Sequence, residues 1–391
     1  MDYPQIFSKE EYEKRINKLE TALSDLDISF IFGRADMFYY SSIGQDGFLS
    51  IGSENIRYIN RNLELARELT KLDVRHMSSF RVFKDIYREV EPKKIGLELD
   101  ILPYKTVQYI QSSLKNPEIV DISTKLRQIR SIKSEKEQEL MKSAAKQTDE
   151  SFEVAQNIIK VGMSEIELAV EIDKFLRNDG HPGWVQIRKF DHNYTSNAYV
   201  MTGESTRQLN GGFGPVSGQG LGRYHMNGPS HRKIKYGDAV LIDTTGVVEG
   251  YTADETRTFF VGNIDPKYAL AHELCEQILE LIPKIMIDGS SANEIYNEVL
   301  DLVKLNNLKN NFMGIGADRL KFIGHGVGLE LDEFPIITPG YKDNIKAGQI
   351  VAIEPKFIFD DPKGGLGIED TWIVNNNSAE KITKYPWTTR I

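Results

Sequence analysis

One cysteine, Cys275, occurs in 391 residues, so no intramolecular disulfide can form, and the composition fits a reducing compartment. The chain has no excess of base: 48 lysines and arginines stand against 57 acids, a formal net charge of −9. A surface of that balance is poorly suited to neutralising phosphates, which argues against a dedicated nucleic-acid binder. No apolar run approaches the roughly 18 residues needed to cross a bilayer. Residues 1–15 are charged and lack the apolar centre of a secretory leader. These absences give the expectation of a cytoplasmic chain with neither membrane nor nucleic acid as partner. Cys275 itself falls in a helical pattern at residues 271–279 and reads as a small buried apolar side chain.

What is present is globular material, 40% hydrophobic and 27% charged, which excludes a disordered chain. The length allows two domains with separate cores. Residues 9–24 carry Tyr12, Ile16, Leu19 and Leu23 at helical spacing. Residues 28–32 read as a buried strand, residues 94–98 as another, and a helix follows Pro103; this alternation predicts an α/β unit. The unit closes near residues 129–133, where charge density rises, and a long helix pattern runs from about Ser134 to Lys160, stopped by Gly162. The expected division is therefore 1–132 and 133–391.

Four short apolar stretches in the second domain present an acid or a histidine where a hydrophobic residue is expected. Ala239-Val240-Leu241-Ile242 runs into Asp243, and Asp254 follows in Gly250-Tyr251-Thr252-Ala253-Asp254. His325 sits between Gly324 and Gly326, Glu354 ends Ile350-Val351-Ala352-Ile353, and Glu369 ends Gly365-Leu366-Gly367-Ile368. A carboxylate inside an apolar strand loses its hydration at considerable cost unless a cation meets it, and cationic side chains near these acids are few. Metal is the expected partner. Oxygen ligands with one nitrogen suit Mn, Co, Fe or Zn, and four carboxylates exceed what one cation needs, so two ions sharing bridging acids is the expected count. Taken alone, an Asp at a strand end is more often a turn former; the company of the others carries the reading. Asp243 and Asp254 flank a glycine-bearing turn, with a second strand pattern at residues 256–261, so a hairpin can bring them together. Gly324 and Gly326 let backbone approach closely around the imidazole.

The glycine-rich segment 211–222 lacks both the Walker pattern and GxGxxG and reads as a structural loop. His76, His181, His192, His231 and His272 show no partner motif and read as surface or packing residues, whereas His225 lies between that loop and the acid-bearing strands. A weak internal echo is also present. Ser164 with Glu167, and Ser291 with Glu294, each form a capping-box pattern after a glycine and a long helix pattern. If the echo is structural, the second domain is two similar halves, with Asp243 and Asp254 from one and His325, Glu354 and Glu369 from the other.

The blocks Gly237-Asp238-Ala239-Val240-Leu241-Ile242-Asp243, Gly250 to Thr258, Gly324-His325-Gly326-Val327-Gly328-Leu329, Ile353-Glu354-Pro355 and Ile368-Glu369-Asp370 resemble, in order and flanks, the pita-bread metallopeptidases. That family includes methionine aminopeptidase, aminopeptidase P, prolidase and creatinase. The stretch from Arg15 through Tyr39-Tyr40 to Glu98 is similar to the extra domain of the prolidase and creatinase branch, so the likeness covers nearly the whole chain. The resemblance implies an α/β N-terminal domain and an α+β pita-bread catalytic domain with pseudo-twofold halves. It implies that Asp243, Asp254, His325, Glu354 and Glu369 ligate two divalent ions, manganese or cobalt first, iron or zinc otherwise, with Asp254 and Glu369 bridging. Glu354 would also shuttle protons, and His225, matching the family's other active-site histidine, would stabilise an oxyanion or orient the scissile amide. The implied activity is hydrolysis of Xaa-Pro peptide bonds by a metal-activated hydroxide. The alternative is a hydrolase or lyase of a small non-peptide amide in the manner of creatinase. The implied assembly is a homodimer with the N-terminal domain beside the partner's cleft.

Departures from the family concern the substrate. Asp332, in Leu331-Asp332-Glu333-Phe334-Pro335, replaces a substrate-contacting histidine; Ile336 stands where prolidases tend to carry a carboxylate-holding arginine, and Gly367 where an arginine commonly precedes Ile-Glu-Asp. The segment Met226-Asn227-Gly228 is one residue longer than usual before Pro229. An ionised Asp332 near cations can only accept hydrogen bonds, so it is expected to repel a substrate carboxylate and favour a donor or positive charge.

Overall fold

A computed structural model describes residues 3–189, 194–210 and 214–391. It divides into two compact units, one running to Arg130 and including Arg188 and Lys189, the other formed by Ser131–Ile187 and Tyr194–Ile391. In the first, six strands lie in the spatial order Asp73–His76, Ile56–Ile59, Gly47–Ile51, Ile28–Ile31, Lys94–Leu97, Glu118–Asp121. The sheet is mixed: Ile28–Ile31 runs antiparallel to Gly47–Ile51 and parallel to Lys94–Leu97. All four residues of Ile28–Ile31 are buried, Ser29 included, as expected for a strand in a sheet covered on both faces. Helix Lys9–Ala22 starts at Ser8, whose hydroxyl accepts from the Glu11 amide, and helix Tyr104–Ser113 follows Pro103 as expected.

The second unit is built twice over. Helices Glu135–Ile158 and Glu165–Asn178 precede strands Ala198–Thr202, Ala239–Val248 and Tyr251–Phe260; helices Pro266–Ile285 and Ala292–Leu305 precede Gly324–Gly326, Ile350–Ile353 and Asp370–Val374. In each half those three strands are consecutive antiparallel neighbours. Ser164 and Glu167 close a reciprocal capping box, and Ser291 accepts from the Glu294 amide. Both serines also form a bridge to the same relative place, Ser164 to Lys233 and Ser291 to Asn344. The sequence echo is thus the trace of the two halves. Each has its own core: Phe152, Leu168, Ile172, Val240 and Phe259 in the first, Ile278, Ile295, Val299, Val351 and Ile353 in the second. Cys275 is fully buried in helix Pro266–Ile285.

One strand is longer than its pattern. The apolar signal starts at Thr256, whereas the strand runs Tyr251–Phe260 with all ten positions buried. The acids at 254 and 255 hide it from a hydropathy reading; Glu255 pairs with Arg257 of the same strand, and the Asp254 backbone is bonded to the Thr371 hydroxyl. The glycine-rich segment is loop from Gly214 to Gly222, while Gly211, Gly212, Phe213 and His192 lie outside the described residues. No helix among the described residues is long and apolar enough to cross a membrane.

Candidate metal centre

Residues Glu249 and Gly250, with φ of 50° and 85°, form the two-residue turn between Ala239–Val248 and Tyr251–Phe260, and positive φ at both positions is the hairpin geometry that matches strand twist. Its register pairs Asp243 with Thr256 and Thr245 with Asp254, so the two aspartates are diagonal neighbours on one face. Thr256 then joins the halves. Its amide and carbonyl pair with the Glu369 backbone at 3.4 and 3.0 Å. Its hydroxyl donates to Glu369 Oε2 at 2.7 Å. On the far side Gly324–Gly326 lies between Glu333–Ile336 and Ile350–Ile353. A Cβ on Gly324 would fall 2.2 Å from the Ala352 carbonyl oxygen, and one on Gly326 2.2 Å from that of Phe334, so both glycines are required by close approach. His325 Nδ1 lies 3.1 Å from the Gly326 carbonyl oxygen. With Nδ1 donating, Nε2 keeps its lone pair, 3.7 Å from Glu354 Oε1 and 4.0 Å from Asp254 Oδ2.

All five expected ligands therefore converge, and four of them are buried, with Asp243 partly so. Asp254, His325 and Glu369 each offer a ligand atom within 4.8 Å of the others. Asp254 Oδ1 and Glu369 Oε1 are buried without a hydrogen-bond partner. Burial pushes the Asp254 carboxyl well above the usual range, with the charges of Glu369 and Asp243 adding to it. Burial likewise raises Glu369 to about 7, against the opposing pull of Lys356. For His325, burial disfavours the cation, but Asp332, Glu354 and Glu369 outweigh it and the pKa is raised. Two orphaned carboxylate oxygens and an imidazole nitrogen are a donor set that fits one divalent ion.

The sequence reading counted few cations here and missed Lys356. It is 2% exposed, and its ammonium donates to Glu354 Oε2 at 2.7 Å, Asp243 Oδ2 at 2.9 Å and Glu369 Oε2 at 3.5 Å. The three carboxylates outweigh the burial penalty and hold its pKa well above the usual lysine value. The signal was available: Lys356 is two residues beyond Glu354 in extended chain, where alternate side chains share a face. The expectation of two ions on five unengaged ligands thus meets a competitor, because three of those ligands already share an ammonium.

A second missed residue is Arg257, fully buried behind the ligands. It donates to the carbonyls of Glu369 at 2.7 Å and Thr256 at 2.9 Å, and to Asp370 Oδ1 at 2.7 Å, fixing the segment that presents Glu369. Asp332 does come to the site: its Oδ1 is 3.5 Å from His325 Nδ1, with the side chain 50% exposed. Ile336 is the register partner of His325. His225 is not brought to the acids. It is exposed, its ring stands edge-on to Tyr224 at 4.7 Å, and no hydrogen bond or ion pair among the described residues links it to the five.

Residues 139–376 match the model of metallopeptidase family M24, and residues 15–132 that of the creatinase/prolidase N-terminal domain. The chain is 26% identical to the Xaa-Pro dipeptidase of Pyrococcus furiosus over 96% of this chain and 98% of that protein. It is 28% identical to a putative dipeptidase of Bacillus subtilis over 76% and 73%. Among solved structures, the Xaa-Pro dipeptidase from Bacillus anthracis has a TM-score of 0.82 at 23% identity, covering 97% of this chain and 100% of that one. The prolidase from Pyrococcus horikoshii has a TM-score of 0.79 at 22% identity, covering 97% and 99%. At those identities the structural likeness is one of fold.

Proposed function

The chain belongs to metallopeptidase family M24, and on that premise we propose that it is a metal-dependent hydrolase of Xaa-Pro peptide bonds. The observation that carries this reading is the buried group Asp254, His325 and Glu369, two of whose oxygens have no protein partner. A divalent ion bound there, manganese or cobalt first and iron or zinc otherwise, supplies an activated water at neutral pH and polarises a carbonyl. Lys356 holds Oε2 of Glu354, while Oε1 is turned toward His325. In this reading that oxygen would accept a proton from the attacking water and return it to the leaving nitrogen. His225 is the candidate oxyanion donor through its match to the family. Its exposed position makes it the residue to test first: His225→Ala should lower kcat, and an unchanged kcat removes it from the mechanism. The molecule is proposed to work in the cytoplasm as a homodimer, with the N-terminal domain beside the partner's cleft; a monomer by light scattering with normal activity refutes that assembly.

Asp332 and Ile336 also support a second reading, a small amide substrate in place of a dipeptide, since neither can hold a carboxylate. Metal-reconstituted protein assayed on Xaa-Pro dipeptides, longer Xaa-Pro peptides and small amide metabolites separates the two. Peptide hydrolysis abolished by a chelator is the expected result. Turnover confined to small amides would move the chain to the second reading.

A further inference from the structure

We infer that Lys356 takes the place of one of the two expected metal ions, so that this centre binds a single divalent ion on Asp254, His325 and Glu369. An ammonium has three N–H donors and no acceptor, and the Lys356 ammonium meets three carboxylates, those of Glu354, Asp243 and Glu369. Asp243 and Glu354 are the two carboxylates left outside the metal-fitting group, and they are the two that the ammonium holds most closely, at 2.9 and 2.7 Å. The lysine thus occupies the side of the cluster formed by Asp243 and Glu354, while Asp254 and Glu369 each offer a carboxylate oxygen to the group that contains His325.

The position of the lysine is built in. Lys356 pairs with Gly367 across the ladder of Lys356–Ile358 and Gly365–Gly367. A Cβ on residue 367 would stand 2.4 Å from Lys356 Cγ, so a side chain there would displace the lysine stem. Position 367 is where the resemblance expects an arginine. Glycine there and lysine at 356 are complementary halves of one change, which moves a positive charge from position 367 into the acid cluster. The Met313 amide, donating to the Lys356 carbonyl at 2.9 Å, fixes the backbone from behind.

The charge count points the same way. Four carboxylates with one ammonium and one divalent ion leave a net charge of −1. A second divalent ion would bring it to +1 and crowd three cations onto shared oxygens, which like-charge repulsion in a buried site opposes.

The inference rests on the metal-dependent reading for the nature of the bound group, and counting metal separates the two. Full-length protein saturated with Mn(II) and freed of excess by gel filtration should contain about one ion per chain. Its electron paramagnetic resonance spectrum should be an uncoupled six-line signal accounting for all the metal. Lys356→Ala should double the metal content and convert the signal to that of an exchange-coupled pair. Two ions or a coupled spectrum in the wild type would mean that the lysine leaves when metal binds, and would overturn the inference, as would a variant that still holds one. Wild-type protein that takes up no metal overturns both the inference and the metal-dependent reading. If the variant does not fold, the wild-type count and spectrum still decide. One ion without peptide hydrolysis keeps the inference and removes the proposed activity, whereas hydrolysis with two ions does the reverse.

Discussion

Arg257→Met tests how the site is held. The arginine is fully buried, donates to the carbonyls of Thr256, Glu369, Tyr385 and Pro386 and to the Asp370 carboxylate, and forms an ion pair with Glu255. Methionine keeps most of the stem volume but leaves Glu255 and Asp370, both fully buried, without this cation. Breaking one side of a buried ion pair costs about 3–5 kcal/mol. Taking about 4 kcal/mol, the folded-to-unfolded ratio should fall by roughly three orders of magnitude. With a urea m-value near the upper end of the usual range, about 3 kcal/mol/M, the midpoint should drop by roughly 1.3 M. Tryptophan fluorescence is the assay, because all three tryptophans, Trp184, Trp372 and Trp387, belong to the second compact unit. Trp387 moreover donates to Asp370 Oδ2 at 2.6 Å, so it reports on the perturbed network itself. Arg257→Lys should lie between the two, since an ammonium keeps the charge but has too few donors for these acceptors. A loss below about 1 kcal/mol for Arg257→Met, or a lysine variant as stable as wild type, would refute the reasoning.

Three further outcomes are expected. Asp254→Asn should weaken Mn(II) binding by more than about 100-fold in calorimetric titration, since loss of outer-shell partners alone costs about 10–100-fold; wild-type affinity would show that Asp254 is no ligand. Burial pushes His272 down to about 4, so the stability carried by its neutral form is complete above about pH 6.5 and is lost as pH falls through 4. His272→Phe should therefore lose about 2 kcal/mol less than wild type between pH 7.5 and 5 in urea melts, and equal losses would count against it. Asp332→His should raise kcat/KM for Xaa-Pro dipeptides relative to amidated or longer peptides by about 10-fold or more, roughly 1.4 kcal/mol of discrimination; an unchanged ratio would place the selectivity elsewhere.

The convergence of the five candidate ligands could be read from the chain because a buried acid in an apolar strand demands a cation, and that demand is local. So could the two halves, because capping boxes and strand patterns are local too. What escaped was the mutual compensation of buried charges, near and far in sequence. Glu255 is tolerable in a fully buried strand only through Arg257 and its neighbours, so the apolar pattern broke where the strand did not. Lys133 and Glu333, 1% and 2% exposed, form a buried pair at 2.9 Å across 200 residues of sequence. In sequence Lys133 belongs to a charge-dense stretch that reads as a domain boundary. Lys356 followed the same rule: a lysine defaults to solvent, and only the convergence of Asp243, Glu354 and Glu369 makes a 2% exposed ammonium stable.

The departures from the family have a common direction when set beside the buried Lys356. Against the residues the resemblance leads one to expect, positions 332, 336 and 367 carry an acid, an isoleucine and a glycine; the cation of the site is Lys356, buried among the acids. Cationic groups are thus absent from the positions the resemblance associates with substrate and present among the acids of the candidate metal centre. The Asp332 carboxylate, 3.5 Å from His325, adds negative charge at an exposed edge of the site. A substrate with a free carboxylate meets repulsion there and finds no arginine at 336 to offset it, while one presenting an amide or amine finds an acceptor. The lysine cannot serve as a clamp instead, because its three donors are committed to the carboxylates of Asp243, Glu354 and Glu369. Selectivity and metal count are therefore two consequences of one redistribution of charge. If Lys356 were shown to bind substrate, that link would break, and the preference for carboxylate-free substrates would lose half its basis.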